Sequence, residues 1–196
     1  MPIHCYFDEP DNYKNQFDFY EQGGSPFLLQ KFIRTIEKDK NNIEEINISW
    51  YLFNNQYLYN YLKEVAANGI TVNVITIPLE GYDNNNPKVL KNLDTGKKTT
   101  QELTKYNLAR KIFGEVYRST SLKNFHFYVF SHLYVRSANI KKFSRGTLPY
   151  SLHIKSAYIK KKNGYLLLMS SSNLAVRDLV KNESMICIEN EPGYEE

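Results

Sequence analysis

The sequence predicts an α/β fold built on a mixed central β-sheet flanked by helices, and two observations carry this prediction. Residues 43–53, 54–68 and 70–77 have the patterns of a strand, a helix and a strand. Such a βαβ unit has parallel strands joined by a right-handed crossover. Residues 152–160 and 165–171 flank Asn163-Gly164, a strong hairpin signal that predicts antiparallel strands.

The remaining elements follow from hydrophobic spacing and from helix-end signals. Ser25 and Pro26 predict the N-cap and first residue of a helix whose apolar stripe extends to Ile36. Asn54 or Asn55 is predicted to cap the start of the helix in the βαβ unit, and Gly69 to end it. A third helix begins at Thr99 or Thr100. Further strands are predicted at 3–7, 124–130, 133–138 and 184–189, with a long polar loop at 78–100, a short helix at 174–181 and a loose acidic tail at 191–196.

Composition indicates one globular domain, residues 1–196, with a mildly basic character. Hydrophobic residues make up 42% of the chain, charged residues 23%, and the net charge is +4, which favours a polyanionic partner. Residues 136–162 hold eight Lys or Arg and no acidic residue, and this block is predicted to surround the site. A solvated charged face would explain the same block equally well.

Several classes of protein are not expected. The N-terminus lacks the pattern of a secretory signal, and no apolar run is long enough for a membrane span, so a cytoplasmic location is expected. Cys5 and Cys187 lie far apart in sequence and are predicted to be free thiols. The four histidines form no metal-binding series, so neither a metal nor another cofactor is expected.

The hairpin suggests where chemistry takes place. A turn centred near Asn163 pairs His153 with Asn173 and Lys155 with Ser171, and alternation along the strands then places all four on one face. A slip of one residue would exchange the faces. An ammonium, a hydroxyl and a carboxamide suit a phosphate, and an imidazole is a nucleophile or base near neutral pH.

These residues also carry a resemblance to a known family. The chain contains His153-x-Lys155, then an apolar strand, then SSSN at 170–173, then Asn182-Glu183. This order resembles one copy of the HKD motif of the phospholipase D superfamily, H-x-K-x4-D followed by G-S-x-N. The resemblance implies a phospholipase D-like fold, a three-layer sandwich of helices around the sheet.

The resemblance also implies roles for individual residues. His153 would be the nucleophile that forms a phosphohistidine, Lys155 and Asn173 would hold the phosphate, and Glu183 would orient the histidine. No metal is implied. Further contacts to the substrate are predicted from Ser171, Ser172, Lys160 and Arg145.

The sequence departs from the family pattern at three points. Lys160 occupies the place of the motif aspartate, and Ser170 occupies the place of the glycine. The spacing from His153 to Asn173 is two residues longer than usual, which lengthens each strand by one and preserves the faces. Tyrosyl-DNA phosphodiesterases also lack the aspartate, so its absence does not by itself indicate inactivity.

A single motif predicts that the active unit contains two copies, because one histidine cannot be both nucleophile and leaving-group acid. The chain would form a homodimer or be one half of a longer protein. The favoured function is a metal-independent endonuclease on DNA, with RNA left open, in a restriction or defence enzyme. The alternatives are a hydrolase of phospholipids or other phosphodiesters, and an inert nucleic-acid-binding half-site.

Overall fold

A computed structural model describes residues 3–8, 26–51, 53–76, 101–119, 122–129, 154–172, 174 and 183–190. Within these ranges the chain forms seven strands and three α-helices. The strands are β1 (Ile3–Asp8), β2 (Ile43–Trp50), β3 (Thr71–Thr76), β4 (Phe125–Val129), β5 (Lys155–Lys161), β6 (Gly164–Ser170) and β7 (Glu183–Glu189). The helices are α1 (Pro26–Asp39), α2 (Gln56–Ala67) and α3 (Gln101–Arg118), and a 3₁₀ turn spans Lys40–Asn42.

All seven strands belong to one mixed sheet, in the order β1-β7-β6-β5-β2-β3-β4. The pairs β2–β3 and β3–β4 are parallel, as expected for strands joined through helices. The other four pairs are antiparallel. The predicted mixed α/β sheet, with its βαβ unit and its hairpin, is therefore confirmed.

The hydrophobic core covers one face of this sheet. Alternate residues of β2, including Ile46, Ile48 and Trp50, point to this face, as period-2 patterning requires. The three described helices pack on the same face and supply one helical layer of the predicted sandwich. The ring of Phe32 in α1 meets the Trp50 indole edge-on, with 5.5 Å between centroids, so α1 is fixed over the centre of the sheet.

Helix α2 begins and ends at the residues that the sequence predicts. The Asn55 side chain accepts a hydrogen bond from the Leu58 amide, which satisfies one of the free donors of the first turn. After the helix, Gly69 has φ +96°, a conformation that side chains disfavour. The βαβ crossover therefore carries its own start and stop signals.

The remaining predicted elements divide into two groups. The strand at 3–7, the helix starting near residue 100, and the strands near 124–130 and 184–189 are confirmed, with ends shifted by at most two residues. Of the predicted helix 174–181 only Leu174 is described, and its φ of +48° is not helical. The other predicted elements lie outside the described residues: the N-cap Ser25, the loop 78–100, the strand 133–138 and the tail 191–196.

The register of the hairpin differs from the prediction by one residue. Lys161 pairs with Gly164, and Ser156 pairs with Met169, so the loop consists of Lys162 and Asn163. Gly164 is the first strand residue, and its φ of +105° together with the nearby Asn190 leaves no room for a side chain. The predicted pairing of Lys155 with Ser171 is therefore wrong, and the same register places Lys155 beside Ser170.

The two cysteines lie in different environments. Cys5 is exposed on β1 and Cys187 is buried on β7, and neither forms a disulfide. Burial and the neighbouring Glu189 carboxylate raise the pKa of the Cys187 thiol to about 11, so it remains protonated at neutral pH.

In the part of the chain that the structure describes, no helix is both long and apolar enough to cross a membrane.

The hairpin is tied to the rest of the fold by a buried lysine at its turn end. Lys161 Nζ lies 2.7 Å from Asp39 at the end of α1 and 2.5 Å from Glu189 at the end of β7. Burial lowers the pKa of Lys161, but the hydrogen bonds to both carboxylates outweigh burial and raise it above its usual value. The lysine therefore remains charged and joins three elements.

Replacing this lysine should destabilise the fold in a pH-dependent way. We expect Lys161→Met to lower the free energy of unfolding by about 1–2 kcal/mol at pH 7, less than a fully buried pair, because Asp39 and Glu189 are 29% and 30% exposed. The raised pKa means that the stabilisation is complete below the pKa of the unfolded lysine and disappears as pH rises through the folded pKa. Urea unfolding from pH 7 to about pH 11 measures this difference.

Lys162→Met is the matched control for this experiment, because Lys162 is exposed in the adjacent turn. It should unfold as the wild type does. A Lys161→Met protein as stable as the wild type at pH 7, or a difference that persists undiminished at alkaline pH, would contradict the assigned role.

Candidate active site

The candidate site lies along one edge of the sheet. Trp50 is the last residue of β2 and pairs with Lys155, the first residue of β5. In the same way Asp8, at the end of β1, pairs with Glu183 at the start of β7. Ligands of open α/β sheets bind outside the carboxyl ends of the parallel strands, and this edge holds those ends.

Lys155 presents a cation at this edge from within the protein. Its side chain is only 9% exposed and shares the core face with Trp50, its partner on β2. Its ammonium lies 5.7 Å from the centroid of the Tyr51 ring, within range of a cation–π contact. A charge held in this partly desolvated position attracts an anion more strongly than a solvated lysine does.

Glu183 supplies a buried carboxylate two strands away from Lys155. Its side chain is 8% exposed and accepts a short hydrogen bond from the Ser171 hydroxyl. The Ser171 oxygen in turn accepts a bond of 2.9 Å from the Ser184 amide. Ser171 therefore holds the carboxylate in place, and its hydroxyl proton is directed to Glu183.

The segment after β6 is fixed by buried hydrogen bonds. The Ser172 side chain is completely buried, and its hydroxyl accepts a bond of 3.0 Å from the Leu174 amide. The Trp50 indole donates to the Ser172 carbonyl at 3.1 Å, and the side-chain amide of Asn55 donates to the Leu174 carbonyl at 2.9 Å. Leu174 adopts φ +48°, so the chain turns sharply here.

The structure brings together some of the predicted site residues. Lys155, Ser171 and Glu183 lie at one edge of the sheet, the last two in direct contact. Ser172 directly follows Ser171 but is buried, so it offers no surface to a substrate. The other predicted residues at this site, His153, Asn173 and Arg145, lie outside the described residues.

Lys160 is not part of this group. It is exposed near the hairpin turn and pairs with Glu44 at 3.4 Å. Five residues separate it from Lys155, which corresponds to about 17 Å along a strand. Lys161 and Lys162 lie at the same far end, so the prediction that the whole basic block surrounds the site is wrong for these three lysines.

Sequence reasoning missed two residues that contact the site loop. Asn55 was identified only as a helix cap, and Trp50 only as an alternating strand residue. The sequence contained only weak signals for these roles. Trp50 is the single tryptophan of the chain, and two asparagines, Asn54 and Asn55, stand where one is enough to cap a helix. A hydrogen bond that joins residues about 120 positions apart leaves no pattern in a single sequence.

Other features of the described residues do not compete with this site. A shallow groove of about 300 Å³ lies on the opposite face of the sheet, lined by polar and tyrosine side chains such as Asn73 and Tyr158. Within the described ranges, no group of three or more His, Cys, Asp or Glu side chains is arranged to hold a metal ion.

The chain is similar to solved structures of three proteins. NucT from Helicobacter pylori is 12% identical, covers 97% of this chain and 87% of its own, and has a TM-score of 0.47. Nuc from Salmonella typhimurium, a phospholipase D family member, is 11% identical over 97% of this chain and 84% of its own, with a TM-score of 0.45. A polyphosphate kinase from Porphyromonas gingivalis is 12% identical over 96% of this chain but only 23% of its own, with a TM-score of 0.49.

Comparison of sequences gives a more specific result. No curated protein matches the chain. A family model described as "Cardiolipin synthase, PLD-like domain" matches residues 32–196, which include every strand except β1 and the whole HKD-like segment. The chain therefore belongs to the family of phospholipase D-like domains.

Proposed function

We propose that this protein is a metal-independent phosphodiesterase that cleaves DNA through a phosphohistidine intermediate. The observation that carries the proposal is the placement of Lys155 and Glu183 at one edge of the sheet, both buried on the same face. One provides the positive charge that a phosphate needs, and the other provides the negative charge that an imidazolium needs. Both belong to the motif that carries the family resemblance.

The proposed reaction proceeds in two displacements. The His153 imidazole attacks phosphorus, a P–N bond forms and the P–O bond to the leaving nucleoside breaks. The leaving oxygen takes a proton from His153 of the partner subunit, acting as a general acid. That histidine then removes a proton from water, which cleaves the P–N bond and releases the phosphomonoester. Lys155 and Asn173 hold the phosphate oxygens, and Glu183 orients the nucleophilic imidazole.

Net charge supports nucleic acid as the substrate. The chain carries +4, and Arg136, Lys141, Lys142 and Arg145 precede the motif without an intervening acid. Exposed tyrosines such as Tyr57 and Tyr128 provide faces on which bases can stack. A phospholipid substrate is the second candidate, because the description of the matching family model names cardiolipin synthase.

The first test is DNA cleavage without metal. We expect the wild type to cut plasmid and single-stranded DNA in excess EDTA, because the nucleophile is an imidazole and needs no metal-bound water. His153→Ala should lower the rate at least 10³-fold and leave DNA affinity nearly unchanged. Cleavage that EDTA abolishes, or an active His153→Ala protein, would rule out the mechanism.

The assay also separates the alternatives. An inert half-site binds DNA but cuts nothing, with or without His153. A lipid hydrolase leaves DNA intact and releases a headgroup from phospholipid vesicles in the same buffer. Binding to DNA that weakens steeply with salt would identify the polyanion as the preferred ligand.

An apolar patch beside the site supports a second copy as the other half of the active unit. Phe7, Met169, Ile154 and Ile186 are all exposed on the face of the sheet opposite the core. Three of them are neighbours across β1, β7 and β6, close to the edge that holds Glu183. Contiguous exposed apolar side chains mark protein–protein contacts.

Mixing tests this two-copy requirement. Wild type and His153→Ala, combined in equal amounts and allowed to exchange, should retain about a quarter of the rate expected for all-wild-type dimers, because only dimers with two histidines are complete. Ile186→Lys should give an inactive monomer by sedimentation, and Tyr117→Lys, at an exposed position on α3, should remain an active dimer. Activity proportional to the wild-type fraction alone would contradict a shared site.

The role of Glu183 has a distinct kinetic signature. Glu183→Gln keeps an acceptor for the Ser171 hydroxyl but removes the charge, so we expect kcat to fall about 100-fold. Loss of the anion lowers the pKa of the adjacent imidazole, so the acidic limb of the kcat/KM profile should move to lower pH. Ser171→Ala, which keeps the charge, should lower kcat less and leave the limb in place. An unchanged limb in Glu183→Gln would show that the carboxylate does not contact the histidine.

A further inference from the structure

Trp50, Tyr51 and Asn55 form hydrogen bonds to residues that adjoin His153 and Asn173 in the sequence. The Tyr51 amide donates to the Ile154 carbonyl at 3.1 Å, and Ile154 directly follows His153. The Trp50 indole and the Asn55 amide donate to Ser172 and Leu174, the two neighbours of Asn173. One short segment therefore bonds to the residues adjoining the nucleophile and the residues adjoining the phosphate-binding asparagine.

The two side-chain bonds have the properties of fixed constraints. Both are buried, and both are made to backbone carbonyls, so they fix the path of the main chain at Ser172 and Leu174. Their donors are immobile, because Trp50 packs edge-on against Phe32 and the Asn55 oxygen is bound by the Leu58 amide at the start of α2.

Leu174, which accepts the second of these bonds, is also held in an unfavourable conformation. Leu174 has φ +48°, and a leucine adopts this region only when its surroundings impose it. Its own amide is bound by the Ser172 hydroxyl, and the Ser172 amide is bound by the Ser170 hydroxyl. From outside this loop, the hydrogen bonds from Trp50 and Asn55 and the packing of the Leu174 side chain in the core maintain the turn.

We propose that Trp50 and Asn55 are positioning residues, which hold the main chain at Ser172 and Leu174 in the conformation that the proposed reaction requires. The inference rests on the proposed function and adds two residues outside the motif to its machinery. Neither residue touches the substrate. Their effect passes through the backbone, and a misplacement of about 1 Å in such a site lowers the rate by up to about 100-fold.

Asn55→Asp separates this role from helix capping. The aspartate keeps an oxygen that accepts from the Leu58 amide, and its charge suits the start of α2. It loses the amide donor and places an oxygen against the Leu174 carbonyl. Trp50→Phe is the second variant, since it keeps an aromatic ring against Phe32 and loses the N–H group. Leu62→Ala is the structural control, a deletion in the core of α2 that leaves the loop bonds intact.

The experiment combines steady-state kinetics on DNA with amide hydrogen exchange at Leu174. We expect both loop variants to lower kcat by about 10- to 100-fold with KM within about threefold, and to speed exchange at Leu174. Leu62→Ala, assayed well below its melting temperature, should keep the wild-type kcat and the slow exchange. An Asn55→Asp protein with wild-type kcat, or a Leu62→Ala protein with the same loss of kcat, overturns the proposal.

Exchange distinguishes failure of this inference from failure of the proposed function. If the wild type cleaves no nucleic acid, the proposed function fails, and the exchange rates alone then test the hydrogen bonds. Faster exchange at Leu174 in both loop variants, with α2 unchanged, would retain the positioning of the loop. Exchange at the wild-type rate in both variants would overturn it as well.

Discussion

The antiparallel pairing of β5 with β2 is the constraint on which the rest of the structure depends. It joins a parallel part, β2-β3-β4, to an antiparallel part, β1-β7-β6-β5, in one sheet. The pairing sets Lys155 beside Trp50, so the start of the motif strand coincides with the carboxyl end of the first parallel strand. A shift of one residue would turn Lys155 to the opposite face of the sheet, away from Trp50 and the core.

The core and the site depend on the same residues of this pairing. Trp50 packs against α1 through its ring and bonds the loop after β6 through its N–H group. Asn55 starts α2 with its oxygen and bonds the same loop with its nitrogen. Packing that fixes the helices therefore also fixes the loop, and the site needs no separate scaffold.

Local patterns were sufficient to predict the elements but not the details that join them. The alternation in β2 and β3, the cap at Asn55 and the stop at Gly69 are properties of short segments, so the βαβ unit could be predicted from them. The hairpin was predicted from Asn163-Gly164, but its register was not. Gly164 is a strand residue whose position admits only glycine, because a side chain there would collide with Asn190. Asn190 lies about 25 residues away, so the Asn-Gly turn signal carries no information about this contact. Beyond Ser170, the Ser171 amide donates to the Ser184 carbonyl at 3.0 Å, and the Ser171 hydroxyl donates to Glu183.

Charge in the sequence was a poorer guide to the site than position in the fold. Lys160 and Lys161 belong to the same basic block as Lys155, yet both pair with carboxylates at the far end of β5. Alternation explains part of this: Lys155 and Lys161 share the core face and differ only in which end of the strand they occupy. At the turn end, the lysine meets two acids and stabilises the fold. At the other end, Lys155 lies against an aromatic ring at the edge where the parallel strands end, and this is the position that we propose for phosphate binding.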